Sequence, residues 1–419
     1  MESLKSVYKG IRILDFTQLM QGPAGTQVLA DFGAEVIKIE RPDTGEIGRQ
    51  HEPRINGMSP HWAANNRNKL SLSVNIKDPE GKKIIYKLVE TADIVASNFR
   101  PGVMERLGFG YEELSKINPR IICAYASGYG QTGPYRDRRG QDLAAQAMGG
   151  IMAMTGEENG PPTPIGTFAV DYLAAMQFAQ GMMLALAARE KTGKGQIVDC
   201  SLLNAAISMH IQEATTYLNT GRLYPRPPQG VAHAHNTALY GRYQTGDGKW
   251  LVLIGEFYID RQWQRVSRAL DLPESVMYDE RFQTIDGLLK HVRESQRILA
   301  EAFLKFSREE AIRRLEEQDV LAAPVNEYPE VFSDPQVIHN EMVIEAEHEA
   351  VGKFKLVGIP VKLSDTPGTL RLPPPTVGQH NEMILKSIGY TDEEIRELQR
   401  KGVVGSENIR ARNGGPYAW

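Results

Sequence analysis

Among the residues that could do chemistry, one carboxylate is set apart by its surroundings. Asp171 heads the apolar stretch AVDYLAAMQFAQGMMLALAARE, directly after the loop GPPTPIGTF. Leu173, Met176, Ala179, Met183 and Leu186 recur at helical spacing through 172–188, which predicts a buried helix. At the start of such a helix the macrodipole and the free N–H groups favour an ionised carboxylate, whereas burial raises its pKa. Opposed influences of this kind are common where a carboxylate takes part in a reaction. The plainer reading is an ordinary N-cap aspartate.

The other candidates are basic or glycine-rich. Arg41 follows a strand, SNFRPG (97–102) carries Arg100 with Arg106 close behind, and PYRDRRG (134–140) adds further arginines. Guanidinium groups suit bidentate phosphate recognition, so arginines on successive loops suggest a small ligand with several phosphates. Any one of them alone reads as a solvated charge. GPAG (22–25) could present backbone N–H groups to an anion, or serve close packing with Pro23 at the first helical position. The G-x-G-x-x-G fingerprint is absent, so a dinucleotide site of that form is not expected. SGYGQTGPY (127–135) allows close backbone approach to a ligand, or is a flexible connector. His233-x-His235 has no third ligand at suitable spacing, and no metal is expected. Trp250 and the aromatics of 257–263 read as core.

The elements that must position these residues alternate. Strands are predicted at 11–16, 35–42, 70–76, 93–99, 120–127 and 196–201. Helices are predicted at 23–33, 79–92 with Pro79 just inside its start, 103–108, 111–117 and 172–188, and from 201 to about 220. Strands alternating with helices imply an α/β fold with a largely parallel sheet, whose ligands sit outside the carboxyl ends of the strands. Residues 221–236, with three prolines, read as a linker. A hairpin turning at Asp247-Gly248 and helices near 257–270, 280–305 and 307–318 form a smaller α+β domain over 237–325. A second hairpin turns near Gly352, two helices follow at about 380–388 and 391–401, and the tail SENIRARNGGPYAW is expected to be mobile.

The chain has 419 residues, is 41% hydrophobic and 24% charged, and carries a net charge of −4, an ordinary globular composition with a sizeable core. That charge argues against nucleic acid or an anionic membrane as a partner. No apolar run approaches the ~18 residues that span a bilayer. Two cysteines, Cys123 and Cys200, are too few for a disulfide framework, and the start MESLKSVYKGIRILDF carries no signal-peptide pattern. A soluble protein of the cytoplasm is expected.

ADFGAEVIKIERP, ADIVASNFRPGVMERLGFGYEEL, INPRIICAYASGYGQTGPY and GTFAVDYLAAMQFAQGMMLALAAREKTGKGQIVDCSLL together resemble the class III coenzyme A transferases, the CaiB–BaiF type that includes formyl-CoA and acetyl-CoA:oxalate transferases. The likeness runs from about residue 9 to 403. It implies a Rossmann-like large domain built from 1–220 and 330–419, a small domain at 237–325, and an interlocked homodimer. It also implies transfer of CoA from an acyl-CoA donor to a small carboxylic acid, with no permanently bound cofactor. The family's nucleophilic aspartate falls on Asp171. Met20, Gln21, Arg41, Val74, Asn75, Ile76, Lys77, Asn98, Phe99, Arg100, Arg106, Arg139, Gly140, Gln141 and Asp142 fall where members line the CoA site. Formyl-CoA transferases carry glutamine at the position of Met20 and tyrosine at that of Gln141, and their multi-glycine loop is replaced here by AHAHNTALYGRYQ. The related α-methylacyl-CoA racemases place a histidine where this chain has Gln141, and glutamine cannot exchange a proton. A non-catalytic nucleotide-binding protein, with Asp171 only a cap, is the alternative from another class.

Overall fold

The computed structural model describes residues 6–42, 44–255, 261–348 and 351–405. The tail after Gly405 lies outside the described residues, as do Phe257 and Tyr258.

Six strands form one parallel sheet: β1 (Arg12–Asp15), β2 (Glu35–Glu40), β3 (Lys69–Ser73), β4 (Ile94–Ser97), β5 (Ile122–Ser127) and β6 (Ile197–Ser201), in the order β3-β2-β1-β4-β5-β6. The order reverses direction between β1 and β4, the crevice where doubly wound sheets hold ligands. Successive strand residues point to opposite faces, and both faces are covered. Ile13, Val36, Ile94 and Ile122 pack on one side with Leu29, Phe178, Met182 and Leu186. Leu14, Ile37, Val95 and Cys123 pack on the other with Ile84, Leu88, Leu114, Ile384 and Leu398.

The first ten helices in chain order are α1 (Gln21–Asp31), α2 (Pro60–Ala63), α3 (Pro79–Val89), α4 (Val103–Leu107), α5 (Tyr111–Ile117), α6 (Asp142–Met148), α7 (Ile151–Met154), α8 (Ala169–Thr192), α9 (Leu202–Met209) and α10 (Ile211–Thr220). Asp78 caps α3 by accepting the Glu80 N–H at 2.8 Å, with Pro79 at the first helical position. In α1 the helix starts earlier than expected, at Gln21, so Pro23 is its third residue rather than its first. The helix expected over 201–220 is two, separated at His210. Helix α8 is longer than 172–188, and its buried stripe is Val170, Ala174, Ala175, Phe178, Ala179, Met182, Ala185 and Leu186. Leu173, Met176 and Met183 lie beside that stripe, half-buried. A nearly all-apolar segment offers several stripes of similar spacing, and the small Ala residues, not the larger ones, allow the closest approach.

The chain divides into two compact units. The first takes the described residues of Met1–Gly149, Thr167–Met209 and Pro335–Trp419; the second takes Gly150–Gly166 and His210–Asp334. The second unit therefore begins before residue 221 and includes an excursion between α6 and α8, which no composition shift marks. Within it β7 (Tyr240–Gln244), β8 (Trp250–Ile254) and β9 (Leu321–Pro324) form an antiparallel sheet, the expected hairpin plus a strand the periodicity did not reveal. Its core gathers Tyr243, Trp263, Phe282 and Phe303. Trp250, expected in the core, is instead exposed, because its side chain falls on the open face of β8. In the first unit, β10 (Val343–His348) and β11 (Gly352–Val357) make the second hairpin.

Candidate active site

Asp171 is the third residue of α8, and Phe168 is the N-cap. The plainer reading of Asp171 as the cap therefore does not hold. That role belongs to another carboxylate: Asp142 Oδ2 accepts the N–H groups of Val170 at 2.9 Å and Asp171 at 3.0 Å. Asp142 is buried, and Gln146, one turn along α6, donates its amide to Oδ1. Asp171 itself is half-buried, and its carboxylate accepts no hydrogen bond from any described residue. Burial, and after it the charge of Asp142, pushes its pKa up to about 7. The result is a half-buried carboxylate in the first turn of α8 with no hydrogen-bond donor among the described residues.

The expected ligand residues lie on the loops that follow the carboxyl ends of the strands. After β1 come Met20 and Gln21, the latter opening α1. After β2 comes Arg41, exposed and without a carboxylate partner among the described residues. After β3, Asn75 and Lys77 are exposed and Ile76 is half-buried. Val74 is packed in the core and bridges Val404, so its side chain cannot face a ligand. After β4, Asn98 is fully engaged: its Oδ1 accepts the Gln18 N–H at 2.8 Å and its Nδ2 donates to the Gln18 carbonyl at 2.7 Å. It braces the β1 loop. Phe99 packs against the core and Arg100 is exposed. After β5, the loop closes on itself where Gly128 and Gly140 touch. A Cβ on Gly140 would lie 2.4 Å from the Gly128 Cα, so neither position tolerates a side chain. This pinch delivers exposed Gln141 and buried Asp142 to the head of α6, and leaves Arg139 exposed.

Two arginines converge at the head of α4. A Cβ on Gly102, whose φ is +81°, would lie 3.0 Å from the Arg106 guanidinium and 3.2 Å from that of Arg136. Arg136 was not singled out from the sequence, since three arginines within four residues give no sign of which turns inward. Its Nε donates to the Gln131 carbonyl at 3.1 Å, which fixes that direction.

A buried ionic network beneath these loops also escaped the sequence reading. Lys69 Nζ donates to Asp15 Oδ2 at 2.9 Å, the Pro23 carbonyl at 2.9 Å, Thr26 at 2.9 Å and Asn66 at 3.0 Å. Lys38 donates to the Thr17 carbonyl at 2.8 Å, and Glu46 accepts the Leu19 N–H at 2.9 Å. Glu40 holds Arg49 through two bonds of 2.6 Å. Burial opposes the charge on Asp15, but Lys69 and Lys38 outweigh it and hold its pKa well below the usual range. Burial lowers that of Lys69 to about 8 against the pull of Asp15. These groups fix loop 16–20, where Leu19 adopts a φ of 65°. The available signal was charge inside apolar strands: Asp15, Lys38, Glu40 and Lys69 interrupt runs otherwise fit for a core.

In the second unit, His233 pairs with Glu213 at 3.0 Å and His235 with Arg222 at 3.3 Å. Among the described residues no group of three His, Cys, Asp or Glu side chains is placed to hold a metal ion, and no helix is long and apolar enough to cross a membrane.

The family model for CoA-transferase family III matches residues 8–381. The chain is 37% identical over 398 residues to the succinyl-CoA:glutarate CoA-transferase of Homo sapiens, covering 94% of this chain and 89% of that protein. It is 35% identical over 396 residues to the succinyl-CoA–D-citramalate CoA-transferase of Chloroflexus aurantiacus, covering 94% and 97%. A crystal structure of a CaiB/BaiF family protein from Brucella suis superposes with a TM-score of 0.82 at 30% identity, covering 91% of this chain and 99% of the other.

Proposed function

The chain belongs to CoA-transferase family III, and on that premise we propose that it moves CoA from an acyl-CoA donor to a small carboxylic acid, most fittingly a dicarboxylate, through covalent intermediates on Asp171. Relatives named for succinyl-CoA with glutarate or D-citramalate support the dicarboxylate class. Met20 and Gln141 depart from the formyl-CoA transferase pattern and disfavour formyl-CoA with oxalate. The observation that carries the reading is the Asp171 carboxylate in the first turn of α8, without a hydrogen-bond donor among the described residues and with its pKa pushed up to about 7.

The carboxylate attacks the thioester carbonyl carbon, the C–S bond breaks, and CoA leaves as thiolate; the product is a mixed aspartyl–acyl anhydride. The thiolate attacks the aspartyl carbonyl, releasing the donor acid as a carboxylate and leaving an aspartyl-CoA thioester. The acceptor carboxylate attacks that thioester and expels the thiolate again. A last thiolate attack on the acceptor's carbonyl delivers the new acyl-CoA and restores Asp171. Each step exchanges one acyl bond for another of similar energy, so activation is conserved provided water is kept out. Arg41, Arg106 and Arg139 hold the CoA phosphates in this reading, with Arg136 joining Arg106 at Gly102.

The functional unit in this proposal is a homodimer. Helix α10 buries none of its residues, and Ile211 and Leu218 are 65% and 80% exposed. A contiguous exposed apolar surface marks an interaction site. Light scattering on the purified protein should return twice the chain mass.

The deciding experiment incubates the enzyme with an acyl-CoA panel, quenches, and weighs the peptide bearing position 171. An adduct cleaved by hydroxylamine is expected in the native enzyme and absent from Asp171→Ala, which should still bind CoA. Exchange catalysed by the Ala variant would remove Asp171 from the nucleophile role.

A further inference from the structure

At the head of α1 the amide nitrogen of Gln21 has no hydrogen-bond partner among the described residues. Gln21 is 6% exposed, and its Nε2 is buried without a hydrogen-bond partner. Leaving a buried donor unsatisfied is costly, and an acceptor that arrives with a ligand would account for its retention. Which acceptor follows from how α1 meets α8. Both helices cover the same face of the sheet, and both start at its carboxyl edge, α1 by leaving β1 and α8 by leading to β6, so they run parallel. They pack tightly at Gly25, where a Cβ would lie 2.8 Å from the Ala175 carbonyl and 2.9 Å from the Phe178 ring. Gln21 stands one turn ahead of Gly25, and Asp171 one turn ahead of Ala175. The two side chains therefore occupy the same level on adjoining helix faces, one a free donor and one a free carboxylate.

We propose that Gln21 Nε2 donates to the carbonyl oxygen of the acyl group under attack by Asp171, stabilising the oxyanion as the C=O pair moves onto oxygen and again as that pair returns and expels the CoA thiolate. This rests on the CoA-transfer reading and gives Gln21 a role in turnover rather than in CoA affinity. The donor must be preorganised to act in this way, and burial in a helix turn provides that.

The test uses the full enzyme with Gln21→Met and Gln21→Glu, on the pair succinyl-CoA and glutarate and on the wider acyl-CoA panel. Gln21→Met should lower kcat about 100-fold, the scale for one lost oxyanion donor, with the KM for acyl-CoA within about threefold. Its melting temperature should stay level or rise, since an apolar side chain of similar shape replaces an unsatisfied amide. Gln21→Glu cannot donate when ionised but can when protonated, so its kcat relative to the native enzyme should climb as pH falls, whereas the Met ratio stays flat. The proposal is overturned if Gln21→Met keeps kcat within threefold, if its loss lies wholly in KM, or if the Glu ratio does not change with pH. Native enzyme that exchanges acids while those outcomes appear leaves CoA transfer standing and removes only Gln21; native enzyme that exchanges nothing and forms no adduct removes both.

Discussion

Asp142 Oδ2 accepts the backbone N–H of Asp171 at 3.0 Å, so the carboxylate that caps α8 also repels the charge on the residue it holds in place. One contact sets both the position of Asp171 and part of its acidity. Chemistry that needs an ionised Asp171 then responds to any change at Asp142.

The pH dependence of acyl transfer should reflect this. With the Asp171 pKa raised to about 7 by burial and then by Asp142, kcat/KM should rise with pH and level off above that value. Asp142→Asn removes the like charge but keeps an oxygen for the cap, so the midpoint should fall. Initial rates over a pH series check this, and an unmoved midpoint would assign the whole shift to burial.

Stability should carry the opposite sign. Between the ordinary aspartate pKa and about 7, the folded chain holds a proton at Asp171 that the unfolded chain has released. Stability from this group therefore declines as pH rises across that window and stays low above it. Asp171→Asn removes the charge, and should stabilise the fold at pH 8 by about 1–3 kcal/mol after discounting for solvent, and by little at pH 4. Thermal melts at the two pH values make the comparison.

Arginine substitutions should separate affinity from turnover. Arg41→Ala, Arg106→Ala and Arg136→Ala should each raise the KM for acyl-CoA on the order of 10-fold with a much smaller change in kcat. Added salt should shrink the difference for exposed Arg41. A loss confined to kcat would place these residues elsewhere in the reaction.

The buried pair beneath the loops should behave as a unit. Asp15→Asn or Lys69→Met alone leaves a partner charge buried and should cost about 3–5 kcal/mol in urea unfolding. The double variant Asp15→Asn, Lys69→Met should cost less than the sum of the two.

Much of this was legible in the residues. The six strands of the parallel sheet, the hairpins, and α8 with Asp171 at its head follow from periodicity and punctuation, because main-chain geometry and burial impose their repeats directly on residue order. The arginine-bearing loops could be placed at strand ends for the same reason. Less readable were choices among near-equivalent options. Which stripe of α8 is buried depends on the partner helix, since an apolar segment fits more than one. Which arginine of 136–139 turns toward Gly102 depends on a carbonyl at Gln131.

Sequence alone determined the six strands of the parallel sheet, the glycines that permit close approach, and the presence of one carboxylate at the head of an apolar helix. Tertiary structure decided that Asp142 rather than Asp171 caps the helix, that Gly128 meets Gly140, and that Asp15, Lys38, Glu46 and Lys69 share one buried network. The physical reason is distance along the chain. Periodicity reports on neighbours three or four residues apart, whereas acidity and hydrogen bonding are set by groups brought together from strands and helices tens of residues away.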